Sequence, residues 1–121
     1  MRFNSAEPIF AQIAELLIEE ILARRFAEGG RLPSARELAA SLEVNSNTAA
    51  RALQSLVDAG IARTERGTGC FVAEGGAGRA LEARRNRFFA ETLPTLFRAM
   101  DALGIGMDEI EARYAARKEA S

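Results

Sequence analysis

Asn45, Ser46, Asn47 and Thr48 are four small polar residues in a row, standing immediately ahead of the apolar positions Ala49, Ala52, Leu53, Leu56 and Val57. Their amides and hydroxyls both donate and accept hydrogen bonds, which is the chemistry needed to meet base edges or phosphate oxygens. The same residues can also cap a helix, because a Ser or Asn oxygen satisfies free N–H groups of the first turn. Capping and contact use different atoms and can coexist. Arg36 lies two residues past Ser34 and can bond phosphate or a guanine edge, while its alternative is a solvated side chain beside Glu37. The run Arg66-Gly67-Thr68-Gly69 joins one arginine to three residues of low bulk, so a close-lying backbone can carry a cation into a narrow groove. The competing reading is an ordinary hairpin turn. Arg63 is either a phosphate contact or a strand-surface charge.

Other chemistries fall away on composition. Histidine is absent and Cys70 is the sole cysteine, so one chain cannot build a disulfide, a zinc cluster, a Cys/His dyad or a serine-histidine triad. No nucleophile, base or metal set emerges, and the expectation is a protein that is not an enzyme and carries no metal or cofactor. Cys70 is a small apolar side chain or, less simply, a thiol whose oxidation would disturb its surroundings. The formal net charge is −1 over 121 residues, which argues mildly against nucleic acid and keeps a protein-interaction module as the alternative. Between Arg31 and Val72 the arginines 31, 36, 51, 63 and 66 face Glu37, Glu43, Asp58 and Glu65, so any case for DNA rests on placement. Met1 to Ser5 lacks the pattern of a secretion signal, and the most apolar stretch, Ile13 to Leu22, is interrupted by Glu15, Glu19 and Glu20. The expectation is a soluble, cytoplasmic chain with no membrane partner.

The elements that must position these residues follow from periodicity. Ile9, Ile13, Leu16, Leu17 and Ile21 recur at helical spacing behind Pro8, which suits a first helical position, and the helix ends before Gly29-Gly30. Ser34-Ala35-Arg36-Glu37 matches a capping box and opens a short second helix with Leu38 and Leu42 inward. A turn at Glu43-Val44-Asn45 leads to a third helix, capped by Asn45 or Ser46 and closed by Gly60. Two short helices joined by a tight turn form the helix-turn-helix pattern. Ile61 to Thr64 and Cys70 to Val72 read as strands of a hairpin, or wing. Residues 75–78 read as a glycine-rich linker between a domain at 1–74 and a helical region at 79–121. In that region Phe89, Leu93, Leu96, Met100 and Leu103 step by fours and threes along a helix that Pro94 should kink. Ile110 and Tyr114 follow on a short last helix, and Phe97 adds bulk beside the seam. The expected fold class is mainly α with a small β-hairpin, a winged helix-turn-helix followed by two C-terminal helices.

With these residues in view, the chain resembles the GntR family of bacterial regulators, in particular its short YtrA-like branch. The resemblance runs through Pro8 to Ile13, Arg31-Leu32-Pro33-Ser34-Ala35-Arg36-Glu37-Leu38-Ala39, Val44 to Thr48, Asp58-Ala59-Gly60, and Arg66 to Val72. It implies a transcription regulator, expected to be a repressor, that binds double-stranded operator DNA with an inverted repeat. Ser34, Arg36, Asn45, Ser46, Asn47, Thr48, Arg51, Arg63 and the wing residues Arg66, Gly67, Thr68 and Gly69 form the expected contact set. Many relatives outside the branch carry arginine where this chain has Ala50, and Arg51 is expected to supply that contact from the next position. The short tail implies a homodimer formed through Phe89, Leu93, Leu96, Phe97, Met100, Leu103, Ile110 and Tyr114, because one isolated apolar helix face needs a partner. A small-molecule effector is a possible ligand of such a regulator.

Overall fold

The computed structural model describes residue 3 and residues 6–120. Its elements run α1 (Ile9–Leu22), α2 (Ala35–Leu42), α3 (Ser46–Asp58), β1 (Ala62–Glu65), β2 (Gly69–Val72), α4 (Gly76–Arg87), a π-helical turn (Phe88–Thr92), α5 (Leu93–Leu103) and α6 (Met107–Ala120). The chain divides into two compact units, Met1–Ala83 and Arg84–Ser121.

In the first unit α1 buries Ile13, Ala14, Leu17, Ile18 and Ile21; of the expected stripe Ile13, Leu17 and Ile21 are inward, whereas Ile9 in the first turn is exposed, Leu16 is half-buried, and Ala14 and Ile18 fill the inward face instead. Pro8 stands one position further out than expected, as the N-cap, with extended backbone. Ser34 opens α2 with a complete capping box: its hydroxyl accepts from the Glu37 N–H at 3.1 Å, and its own N–H donates to the Glu37 carboxylate at 3.0 Å. Glu43 then turns the chain within one residue, at φ 55°. Asn45 caps α3 by accepting from the Asn47 N–H at 2.7 Å. The inward face of α3 is Ala49, Ala52, Leu53 and Leu56, and it packs on both α1 and α2. Two alanines among those four let the helices approach closely, which makes a tight helix-turn-helix.

The hairpin pairs Ala62 with Val72, Arg63 with Phe71, Thr64 with Cys70 and Glu65 with Gly69, in antiparallel register. β1 is shifted by one residue from the sequence reading, because Ile61 is spent on the core, at 1% exposure, before it begins, and β2 ends at Val72 as read but starts one residue earlier, at Gly69. The other edge of β2 is also bonded. Gly29 N–H donates to the Val72 carbonyl at 2.9 Å, Val72 N–H to Gly30 at 2.9 Å, and Leu32 N–H to Cys70 at 2.8 Å. Strand alternation turns Ala62, Cys70 and Val72 inward to join Leu32 in the core.

The expected linker at 75–78 is corrected here. Gly76, Ala77 and Gly78 form the first turn of α4, and Gly76 and Ala80 are buried. A Cβ on Gly76 would overlap the carbonyl oxygen of Ile61, so glycine serves close packing at that position and gives no flexibility. The Glu28 carboxylate accepts from the Gly75 N–H at 2.6 Å, and the Arg79 guanidinium donates to the carbonyls of Gly60 and Glu74 at 3.0 and 2.9 Å. The first compact unit therefore runs on to Ala83.

In the second unit Pro94 has no N–H for the carbonyl four residues back, and the helix answers with a wider turn just before it, in which Leu93 N–H reaches Phe88 O. The interruption expected at Pro94 is this wider turn. Gly104, with φ 69°, ends α5, and α6 follows as a helix of 14 residues, longer than its pattern suggested.

Substitution of the two neighbouring glycines tests this corrected junction. Gly76→Ala should destabilise the protein by about 1–3 kcal/mol through overpacking. Gly78→Ala, whose added Cβ meets nothing within 4 Å, should stabilise it by about 0.5–1 kcal/mol through helix propensity. Urea unfolding measures both, and the reverse order of effects would restore the linker.

Candidate nucleic-acid interface

The three elements that carry the expected contact residues border one shallow cleft of about 250 Å³, lined by Ser34 and Ala35 of the α2 entry, by Ala50, Leu53, Gln54 and Val57 of α3, and by Thr64, Gly69 and Cys70 of the hairpin; of the expected contact residues themselves, Ser34 and Gly69 line it. Helix 3 is the floor of this arrangement. Its N-terminal Asn45, Ser46 and Asn47 are exposed and Thr48 is half-buried. Asn45 spends its side-chain oxygen on the cap, which leaves its NH₂ group to donate outward. Ser34 spends an acceptor lone pair on the Glu37 N–H and turns its hydroxyl proton toward the Glu37 carboxylate, so it serves the capping box. The side-chain amide of Asn47 has no hydrogen-bond partner among the described residues, so both its donor and its acceptor face solvent.

The arginines separate into two kinds. Arg36 and Arg66 are exposed and make no ion pair with a described residue. Arg63 is bound to Glu65 at 2.7 Å and lies over the Phe71 ring at 5.1 Å. Arg51 stacks its guanidinium 4.1 Å from the centroid of Phe10 on α1, which directs it away from the space that Ala50 leaves open. Gln54, passed over in the sequence, lines the cleft beside Ala50 and hydrogen-bonds Asp58 at 2.9 Å. Its position seven residues after Asn47, two helical turns on, was the signal that could have found it.

At the wing tip, Thr68 N–H donates to the Glu65 carbonyl at 3.0 Å and closes a turn with Arg66 and Gly67 at its centre. Gly67 at φ 79° and Gly69 at φ 129° hold backbone that other residues resist. Behind the tip, burial pushes the Cys70 thiol up from its ordinary value, with a smaller opposing effect from the Phe71 N–H. A protonated, buried thiol is a core side chain rather than a reactive one. At the α2 entry the Ser34 N–H and hydroxyl lower the Glu37 carboxyl, and Arg31 adds to the effect.

The second unit holds the remaining residues. Met100 is buried at 6% exposure, and Leu93 and Ile110 are half-buried. Phe89, Leu96, Phe97, Leu103 and Tyr114 remain exposed, together with Phe88, whose ring meets Phe89 edge to face. The seam thus splits into an inward part and a larger apolar part in water.

Comparison with known proteins places these features among regulators. The family described as "Bacterial regulatory proteins, gntR family" matches residues 10–72. An uncharacterized HTH-type transcriptional regulator of Bacillus subtilis, YhcF, is 31% identical over 109 residues, covering 90% of this chain and 88% of that one. The HTH-type transcriptional repressor YtrA of the same organism is 38% identical over 71 residues, 59% of this chain and 55% of its own. A putative GntR-family regulator from Bacteroides thetaiotaomicron superposes with a TM-score of 0.78 at 34% identity, covering 93% of this chain and 97% of that one. The DNA-binding domain of AraR, solved in complex with operator ORR3, superposes with a TM-score of 0.55 at 26% identity, over 60% of this chain and 88% of its own.

The cap and the free amide are separable by mutation. Asn45→Ala should lower stability by about 0.5–2 kcal/mol through loss of the α3 cap, whereas Asn47→Ala should leave it within about 0.5 kcal/mol, as expected of a solvent-facing side chain. Thermal unfolding of both variants checks the assignment, and an equal loss in the two would remove it.

Proposed function

The chain belongs to the GntR family of bacterial regulatory proteins, and from that premise we propose that it binds an inverted-repeat operator as a homodimer and represses transcription from it. Each protomer offers the N-terminus of α3 to the major groove and the Arg66 turn to the adjacent minor groove. The observation that carries this reading is the convergence of the α2 entry, the outer face of α3 and the hairpin around one cleft. Free polar groups on Asn47, Arg36 and Arg66 stand on those same elements. A winged helix solved on operator DNA, AraR, shares the fold, which supports the same mode here.

Dimerisation is supported by the second unit, where exposed Phe88, Phe89, Leu96, Phe97, Leu103, Met107 and Tyr114 give one chain more apolar surface than a monomer usually leaves in water. Two-fold pairing covers that surface and duplicates the reading head, so half-sites about one helical turn apart are read together. Repression follows from occupancy, since a dimer seated across a promoter excludes polymerase. Among the described residues no helix is long and apolar enough to cross a membrane. The place of action is the cytoplasm, where the bacterial chromosome lies.

Fluorescence anisotropy with the DNA upstream of its own gene tests the reading, with unrelated duplex as competitor. Specific binding should survive competition and weaken steeply with salt. Asn47→Ala should lose about 1–3 kcal/mol of discrimination between the two duplexes. Arg66→Ala should lose more affinity on A·T-rich flanks, whose narrow minor grooves concentrate negative potential, than on G·C-rich ones. Sedimentation should show a dimer at micromolar concentration. A monomer there, or equal affinity for all duplexes, would overturn the proposal.

A further inference from the structure

We propose that Arg31 is a further DNA contact, a phosphate-binding arginine on the outer face of the wing beside Arg63; this rests on the reading of the chain as a DNA-binding protein. Arg63 and Arg31 stand on opposite edges of the same residue, Phe71, the first through the hairpin register and the second through an isolated antiparallel bridge. Residues directly opposite one another in antiparallel strands share a face. Since Ala62, Cys70 and Val72 are the buried set, Arg63, Phe71 and Arg31 form a row on the other side, with the two cations flanking an aromatic ring. Both side chains are about half exposed, 53% for Arg31 and 46% for Arg63.

The Arg31 side chain leans along that face toward the wing tip. A Cβ placed on Gly69 would lie 3.2 Å from its Nε and 3.7 Å from its Nη2, so the guanidinium rests over a stretch of bare glycine backbone. On its other side the Glu37 carboxylate is 3.7 Å away. The cation therefore sits between the Arg66 turn and the first turn of α2, and DNA that touches both elements must pass over it. Its hold on Glu37 is weak. The pair is exposed, and the same carboxylate oxygen already accepts from the Ser34 N–H at 3.0 Å. A phosphate offers two oxygens in the planar geometry that a guanidinium fits, and so competes well for it. The backbone at Arg31 is anchored meanwhile by the flanking hydrogen bonds of Gly30 and Leu32 to β2. A phosphate contact made from there fixes the wing in register and carries no base preference.

The test is an anisotropy titration of the full chain on its upstream duplex and on a random duplex of equal length, from about 50 to about 200 mM salt. Arg31→Ala should weaken both duplexes by the same factor. The ratio of parent to variant affinity should shrink about 3.5-fold across that salt range, as one lost contact with a slope near 0.9 requires. Arg31→Lys should keep the parent slope, and Arg31→Gln, which retains a stem over Gly69, should lose it as Ala does. Melting temperatures should stay at the parent value, which separates a lost contact from a lost fold. A parent slope and affinity in Arg31→Ala would overturn this assignment alone, and a loss confined to the upstream duplex would replace phosphate by base contact. A parent protein that binds neither duplex would overturn the DNA reading itself.

Discussion

Strand β2 is hydrogen-bonded along both edges, to β1 on one side and to the segment 29–32 on the other, and the geometry of the first unit depends on that double pairing. The segment at 29–32 runs through Pro33 directly into the Ser34 cap of α2, while β1 is reached from α3 through the buried Ile61. Val72, at 0% exposure, closes the core beneath both, and α4 begins against the Ile61 carbonyl. One short strand thereby ties the wing, the α2 entry and α3 to one another. A hairpin of two strands alone is marginal in water, and the third edge together with the core contacts gives this one a fixed bearing. A surface ordered before its partner arrives avoids part of the entropy lost on binding.

Charge on this surface works by position rather than by sum. The chain as a whole carries −1, yet Arg36 and Arg66 stand exposed on the α2 turn and the wing tip. Arg63 shares its charge with Glu65, and Arg51 is stacked on Phe10. The caps follow the same economy of atoms. Asn45 commits its side-chain oxygen to the backbone and retains its NH₂ donors, so the residue that opens α3 still has hydrogen bonds to offer. The cap at Asn45 therefore leaves a contact open to it, through different atoms.

What could be read from the sequence was mostly local. The Ser34–Glu37 box and the Asn45 cap are set by neighbours within four residues and stand as the spacing implies, and the apolar stripes of α1 and α3 do so at Ile13, Leu17, Ile21, Ala49, Ala52, Leu53 and Leu56. The glycine run after the wing misled because composition shows a missing side chain but not what fills the space. At Gly76 the space belongs to the Ile61 carbonyl, fifteen residues away. Arg51 was expected to supply the contact missing at Ala50 because the resemblance puts an arginine there and Arg51 is the next residue, and only the packing of α1 on α3 reveals that Phe10 receives it. Arg31 was counted only as a charge, since its importance comes from pairing with Phe71, forty residues on.

On the proposed function, α3, the α2 entry and the wing form a single DNA-binding surface. Amide chemical shifts of the isotopically labelled full-length protein, followed during titration with an operator duplex, test it most directly. The largest changes should fall together at residues 34–37, 45–50 and 65–70, with those of α1's Glu15 to Glu20 and of α6 near zero. Changes concentrated on α1 or α6, with the wing and the start of α3 unmoved, would contradict it.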